Sequence, residues 1–292
     1  MRFDHPAWRT APLRTGLRVA TSLVRKQLAA LRLAPVPYDD GRLSIYADLG
    51  TPLGLTLYRY GVHDTDIELT KMLLSPGDVF VDGGANVGLF ALPAATRVGT
   101  TGKVIAFEPA REVRLLLTQN LVLNRLSQVQ VVPFALSSAP GEAAFRSFEI
   151  AGAGLNHLGP SAGEAGTVET VMLTTLDTVV GPSDRQRLTL LKLDLEGAEH
   201  AALQGATEIL RDVRPDIIIE IEDSHLQRLG SSATQVLALL AGHGYQFFQV
   251  GAGARGEIAL SPLGDPLLAR SGPNVFATTK PGRAEAKGVR IR

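Results

Sequence analysis

Residues 79–93 read VFVDGGANVGLFALP. Val79, Phe80 and Val81 form an apolar strand that Asp82 closes, and Gly84, Asn86 and Gly88 follow at alternating positions before the apolar pattern resumes. Glycine lets a backbone turn tightly and lets a ligand approach with no Cβ in the way. The stretch therefore reads as a nucleotide-type cradle between a strand and a helix. A dinucleotide fingerprint needs G-x-G-x-x-G with its amides on a pyrophosphate. The register here is D-x-G-x-N-x-G, and a carboxylate at its head suits a cationic or amino-bearing ligand better. The following helix is expected over residues 87–98, with a kink or a late start because Pro93 inside it would delete a hydrogen bond at a cost of roughly 3 kcal/mol.

Outward from this stretch, strands and helices alternate. DVFVDGG, GKVIAFE, VQVVPFAL, LTLLKLD, DIIIEIE, YQFFQV and NVFATT read as strands. Helical spacing falls over 111–124, about 199–211 and about 232–241. Short, nearly continuous apolar strands alternating with amphipathic helices predict a mostly parallel sheet covered on both faces, a doubly wound α/β layer. Residues 146–170 break the rhythm with several glycines and read as an insertion over the crevice. In such sheets ligands bind beyond the carboxyl ends of the strands, where strand order reverses.

Two acidic features sit at strand ends. Glu108, twenty residues beyond Gly88, precedes Pro109, which holds it extended and suits the first position of the next helix. An acid there accepts the hydroxyls of an adenosine ribose, a feature common to nicotinamide and adenosylmethionine sites. The alternative is a solvated acid at a helix amino terminus. Farther on, Asp194 ends the fourth strand, Lys192 shares its strand face, and Glu196 and Glu199 follow. These carboxylates can orient a substrate hydroxyl, act as general base or hold a divalent cation, or Glu196 and Glu199 can simply cap a helix. His63, His157 and His225 are further candidates for proton transfer. No His-x-x-x-His spacing exists, so the sequence assigns no metal site.

Composition bounds the remainder. Of 292 residues, 45% are apolar, and Lys plus Arg and Asp plus Glu both total 29. One substantial core is expected, with no global field favouring nucleic acid. The absence of cysteine removes disulfides, thiolate metal sites and cysteine nucleophiles, and fits a reducing, cytoplasmic compartment. There is neither a run long enough for a transmembrane helix nor a signal peptide's unbroken apolar region. In residues 1–40, Leu13, Leu17, Ala20, Val24, Leu28 and Leu31 recur at helical spacing, with Arg14, Arg18, Arg25 and Arg32 one residue along. This basic amphipathic helix is expected to pack on its own domain or on a twin subunit, or to contact a membrane surface through residues 13–32. Residues 41–66 read as short strands and turns, and 281–292 as a flexible tail.

VDGGANVG, FEP, NLVLNRL, ALS, TTLDTVV, LLKLDLEGAEHAALQGA and RPDIIIEIE, in this order from Glu68 to Glu222, resemble the FkbM family of S-adenosylmethionine-dependent methyltransferases. The resemblance implies a Rossmann-like class I methyltransferase domain over 67–280, with seven strands, the last antiparallel. It implies methyl transfer to a hydroxyl of a sugar, glycan or natural-product scaffold. It also implies that Asp82, Gly84, Asn86 and Gly88 line the methionine portion of the cofactor, that Glu108 holds the ribose, that Ala135 and Leu136 lie near the adenine, and that Asp194 sits between cofactor and acceptor. Gly83 stands where many relatives carry valine. A nicotinamide-dependent oxidoreductase and a noncatalytic ligand-binding or membrane-attached module are the alternatives.

Overall fold

Apolar stretches such as Leu190–Leu191 and Ile217–Ile219 can be buried on both sides only in a sheet sandwiched between layers, and the computed structural model places them there. It describes residues 7, 11–25, 33–62, 64–147, 156–159, 166–252, 257–264 and 274–291. His63, Leu28, Leu31, Arg32 and much of the 146–170 insertion lie outside them.

Among the described residues the elements run from helix α1 (Pro12–Arg25) through strands β1 (Leu33–Tyr38) and β2 (Leu43–Asp48) to helices α2 (Pro52–Tyr60) and α3 (Thr65–Leu73). The body follows as β3 (Val79–Gly83), α4 (Ala91–Val98), β4 (Lys103–Phe107), α5 (Arg111–Leu123) and β5 (Val129–Val132). Next come β6 (Ala135–Leu136), β7 (Gly141–Ser147), β8 (His157–Leu158), β9 (Thr167–Thr174), β10 (Leu188–Leu193), α6 (Glu199–Gln204) and β11 (Asp216–Ile219). The chain closes with α7 (Asp223–Arg228), α8 (Ala233–Gly242), β12 (Gln246–Ala252), β13 (Ile258–Pro262), β14 (Val275–Thr278), α9 (Pro281–Ala286) and β15 (Arg290–Ile291).

The main sheet runs β5-β4-β3-β10-β11-β14-β12-β13-β15. Strands β5 through β11 are parallel, and β14 is antiparallel to both its neighbours. All seven expected strands contribute, but the described residues form nine, because β13 and β15 extend the edge. The two-residue period splits the side chains between two cores: Phe80, Val104 and Leu190 face one layer, while Val81, Ile105 and Leu191 face the other.

Several expectations are corrected. VQVVPFAL is two strands, because Pro133 has no N–H to continue the ladder and Ala135–Leu136 pairs instead with β9 in a separate sheet, ordered β6-β9-β7-β8. The second half of 41–66 is helix α2: Thr51 Oγ1 accepts the Gly54 N–H at 2.8 Å and Pro52 occupies its first turn. Residues 1–40 contain strand β1 as well as a helix. The helix expected over 199–211 stops at Gln204, and Gly205 at its C-cap passes so close to the Ser137 carbonyl that a Cβ would lie 2.2 Å from it. The chain then makes a turn of π-helix over Ile209–Val213. Residues 281–291 form a helix and an edge strand rather than a flexible tail, anchored by buried Ala284 and Val289. Helix α4 does start late, leaving Pro93 in its first turn, where no intrahelical bond is lost.

The β1–β2 hairpin is attached by two asparagines four residues apart, Asn120 in the last turn of α5 and Asn124 at its C-cap. Asn120 Oδ1 accepts the Tyr46 N–H at 2.7 Å and Asn124 Oδ1 accepts the Ser44 N–H at 2.8 Å. Asn120 Nδ2 also donates to the Val87 carbonyl at 2.9 Å, and Tyr38 Oη donates to that of Leu89. The NLVLNRL motif thus ties the hairpin to the glycine loop.

Candidate active site

Strand order reverses at β3, with β4 and β5 on one side and β10 and β11 on the other. A cavity opens at the carboxyl ends there, as doubly wound topology requires. It encloses about 870 Å³ with the open solvent of its mouth included.

The glycine loop forms one wall. Gly84 has φ +77° and approaches the Asp194 carbonyl so closely that a Cβ would lie 2.0 Å from its oxygen. Only glycine lets the loops after β3 and β10 meet in this way. Asn86 takes the left-handed conformation at φ 49°, which asparagine tolerates. Its backbone N–H donates to Glu108 Oε2 at 2.9 Å, and Ala110 N–H donates to Glu108 Oε1 at 2.9 Å. Glu108 lines the cavity with its carboxylate fixed from two sides. Burial pushes its pKa up to about 7 against the opposing pull of these two backbone bonds.

Below this wall, Asp82 is fully buried and contributes no cavity surface. It lies opposite Lys192 in the β3–β10 register. Lys192 Nζ stands 3.7 Å from Asp82 Oδ1, 3.2 Å from Asp194 Oδ2, and 4.7 Å from the centre of the Phe90 ring. Burial raises Asp82 to about 6 while Lys192 opposes the rise. Burial lowers Lys192, but the Asp194 and Asp82 carboxylates more than reverse that, so the lysine ends up raised. The pair is therefore ionised at neutral pH. Lys192 couples the buried aspartate to Asp194, which lines the cavity.

The opposite wall comes from the turn after β10. Glu196 has φ +55° and Gly197 has φ +112°, and a Cβ on Gly197 would lie 2.4 Å from the His225 carbonyl. This tight turn places Glu196 Oε2 3.0 Å from His225 Nδ1, with Glu220 Oε2 3.8 Å from the same nitrogen. Among the described residues, Glu196, Glu220 and His225 form a trio whose ligand atoms all lie within 4.8 Å of one another, a set able to share a proton or hold a divalent cation. Burial and the Asp194 charge push Glu196 up to about 8 and also raise Glu220, while burial and Arg228 lower His225.

Glu108, Gly84, Asn86, Ala135, Leu136, Asp194 and Glu196 thus face one cavity. The placement of four other expected site residues is corrected. Asp82 lies beneath the cavity floor. Gly88 serves packing, since a Cβ there would lie 2.1 Å from Leu92 Cδ1. Glu199 is almost wholly buried and accepts the N–H groups of Leu195 at 2.6 Å and Gly197 at 3.1 Å, so it holds the turn rather than reaching substrate. His157 is buried off the cavity: strand alternation gives the lining positions to Asn156 and Leu158. The insertion does reach the cavity, through these two residues. Sequence reasoning missed Glu220, although an acid at the end of the strand beside Asp194's was a usable signal. It also missed the aromatic wall of Phe90, Phe134 and Phe145, which has no local pattern.

The buried acids set an unusual pH dependence. Asp66 and Asp82 are raised to about 6, and Glu108 and Glu199 to about 7. Each holds its proton more tightly in the folded chain. Their stabilising contribution is thus complete below the ordinary carboxylate range and is lost as pH rises through 6 to 7. At fixed ionic strength, the melting temperature of the cofactor-free protein is expected to fall by about 5 °C or more between about pH 5 and 7.5. A rise over that interval would contradict these protonation states.

The methyltransferase FkbM domain family matches residues 82–247. The chain is 30% identical over 219 residues to methyltransferase sdnD of Sordaria araneosa, covering 65% of this chain and 83% of that protein. It is 30% identical over 146 residues to the hexuronic acid methyltransferase AglP of Haloferax volcanii, covering 49% and 56%. A 254-residue stretch is 26% identical to the antimetabolite synthetase AmbE of Pseudomonas aeruginosa and covers 75% of this chain but spans only 11% of that protein. Among solved structures, TYW2 of M. jannaschii in complex with AdoMet overlays with a TM-score of 0.42 at 14% identity over 84% of each chain.

Proposed function

The chain belongs to the FkbM methyltransferase family, and from that premise we propose that it transfers a methyl group from S-adenosylmethionine to a hydroxyl oxygen of a sugar or natural-product scaffold. The observation that carries this reading is the meeting of Glu108 with Asp194 and Glu196 in one cavity at the strand reversal. The hexuronic acid methyltransferase among the relatives supports a sugar acceptor.

The residues present fit the cofactor. Glu108 has one backbone donor on each oxygen, leaving lone pairs for the two ribose hydroxyls. Phe107, Phe134, Ala135 and Leu136 offer an apolar slot for a flat heterocycle, and the acids beyond Gly84 favour a cation. S-adenosylmethionine supplies an electrophilic methyl on a cationic sulfur. The chain's residues must align the acceptor oxygen, exclude water and take up its proton. Asp194, held by Lys192, orients the hydroxyl. Glu196 receives the proton, with His225 behind it. The D-x-G-x-N-x-G register favours this reading over a nicotinamide oxidoreductase.

The test is transfer of labelled methyl to a panel of uronic acids and other hydroxylated acceptors. Glu196→Gln should lower kcat by about 10²–10⁴-fold and leave cofactor affinity within about threefold. With cofactor saturating, the rate should rise with pH through about 8, as Glu196 becomes ionised, and level off only above that value. An undiminished rate in Glu196→Gln would remove the residue from proton transfer. Tight cofactor binding without turnover on any acceptor would favour a noncatalytic module.

A further inference from the structure

Helix α1 is turned with its apolar stripe outward. Leu13 is 89% exposed, Leu17 67% and Val24 63%, and Ala20 on the same stripe is exposed too. The buried face is the opposite one, made of Thr15, Val19 and Ser22. It is fastened by polar contacts: Arg59 Nε donates to Ser22 Oγ at 2.8 Å, Thr21 Oγ1 and Tyr58 Oη lie 3.1 Å apart, and Thr15 Oγ1 donates to the Ala7 carbonyl at 3.0 Å. The helix does pack on its own domain, as expected, but with the face the apolar pattern did not select. Its apolar stripe is left displayed on a support anchored to α2.

Charge identifies the occupant. Arg14, Arg18 and Arg25 fall on the arc between the apolar stripe and the packed face. Among the described residues no carboxylate forms an ion pair with any of them. Between Asp4 and Asp39 the sequence contains no acidic residue, whereas Arg9, Arg14, Arg18, Arg25, Lys26 and Arg32 are all basic. A second copy of the chain fits poorly: two such helices packed antiparallel about a two-fold axis bring their arginine rows together, and a parallel pair meets no acid either. An anionic lipid surface satisfies both halves at once, since the leucines enter the acyl boundary while the arginines stay at the headgroups.

We propose that the exposed Leu13–Leu17–Val24 stripe and the adjoining arginines of α1 dock the protein peripherally on anionic phospholipid membranes, holding the catalytic domain at the surface. The proposal does not depend on the chemistry assigned to the cavity.

The full-length protein would be sedimented with phosphatidylcholine vesicles and with vesicles containing phosphatidylglycerol. Binding to the anionic vesicles should be at least about tenfold stronger and should weaken as salt is raised. Leu17→Glu and Arg14→Glu should each reduce it by about tenfold or more, with melting temperature and cofactor affinity unchanged because both side chains are exposed. Three results would overturn the proposal: no binding to anionic vesicles at low salt, equal binding to both compositions, or a wild-type dimer that Leu17→Glu converts to monomer while vesicle binding is absent.

Discussion

Replacing Glu108 with alanine is expected to weaken S-adenosylmethionine binding by at least about 100-fold, because two hydrogen bonds from ribose hydroxyls to a carboxylate, each worth about 1.5–3 kcal/mol, disappear together. The same substitution frees the Asn86 and Ala110 N–H groups that Glu108 holds at 2.9 Å, so the glycine loop also loses its anchor. Glu108→Gln keeps an acceptor on one side only, and its loss should be intermediate. Calorimetric titration of each variant measures the effect, with thermal unfolding as the control for folding. Because Glu108 is raised to about 7, wild-type affinity should increase as pH rises through that value and the carboxylate becomes the better acceptor. Affinity in Glu108→Ala within about threefold of wild type would place the ribose elsewhere.

The second large effect is on stability. Lys192→Met leaves Asp82, which is completely buried, without the cation 3.7 Å away. Removing one partner of a buried pair costs about 3–5 kcal/mol, since the remaining charge has neither water nor a counterion. Urea unfolding should show a loss of that size in Lys192→Met. The double variant with Asp82→Asn should recover a substantial part of it, because the uncompensated charge is gone. The side chains are in contact, so the two single effects should not sum. Additive losses would mean that the pair is not coupled. Methyl transfer should remain impaired in the double variant even where stability returns, because Asp194 also loses the ammonium 3.2 Å away.

The alternating apolar runs made the sheet legible, since a strand buried on both faces has few other ways to read. The strand tips were legible for a related reason. Asp82, Glu108 and Asp194 each interrupt an apolar run just before a loop, and all three do gather around the reversal between β3 and β10. Depth was not legible. Period-two alternation says which side of the sheet Asp82 is on, but whether it reaches the cavity depends on Lys192 and the Gly84 loop lying above it. Glu199 was ambiguous for a different reason, because capping and catalysis call for the same residue beside a helix start, and only the Leu195 and Gly197 bonds show that it does neither and instead braces the preceding turn. His157 needed the strand register of a glycine-rich insertion that local pattern could not supply. The amino-terminal helix is the sharpest case: its periodicity was plain, yet the face it buries was decided by Ser22 and Arg59, which are far apart in sequence.

Everything about the active site depends on the adenosine of the cofactor lying in the cavity at the strand reversal. A crystal structure of the protein with S-adenosylhomocysteine tests this most directly. The account predicts the ribose hydroxyls on the Glu108 carboxylate, the adenine between Phe107 and Leu136, and the sulfur beyond Gly84 toward Asp194. A ligand bound outside this cavity, or bound within it with its ribose away from Glu108, would contradict it.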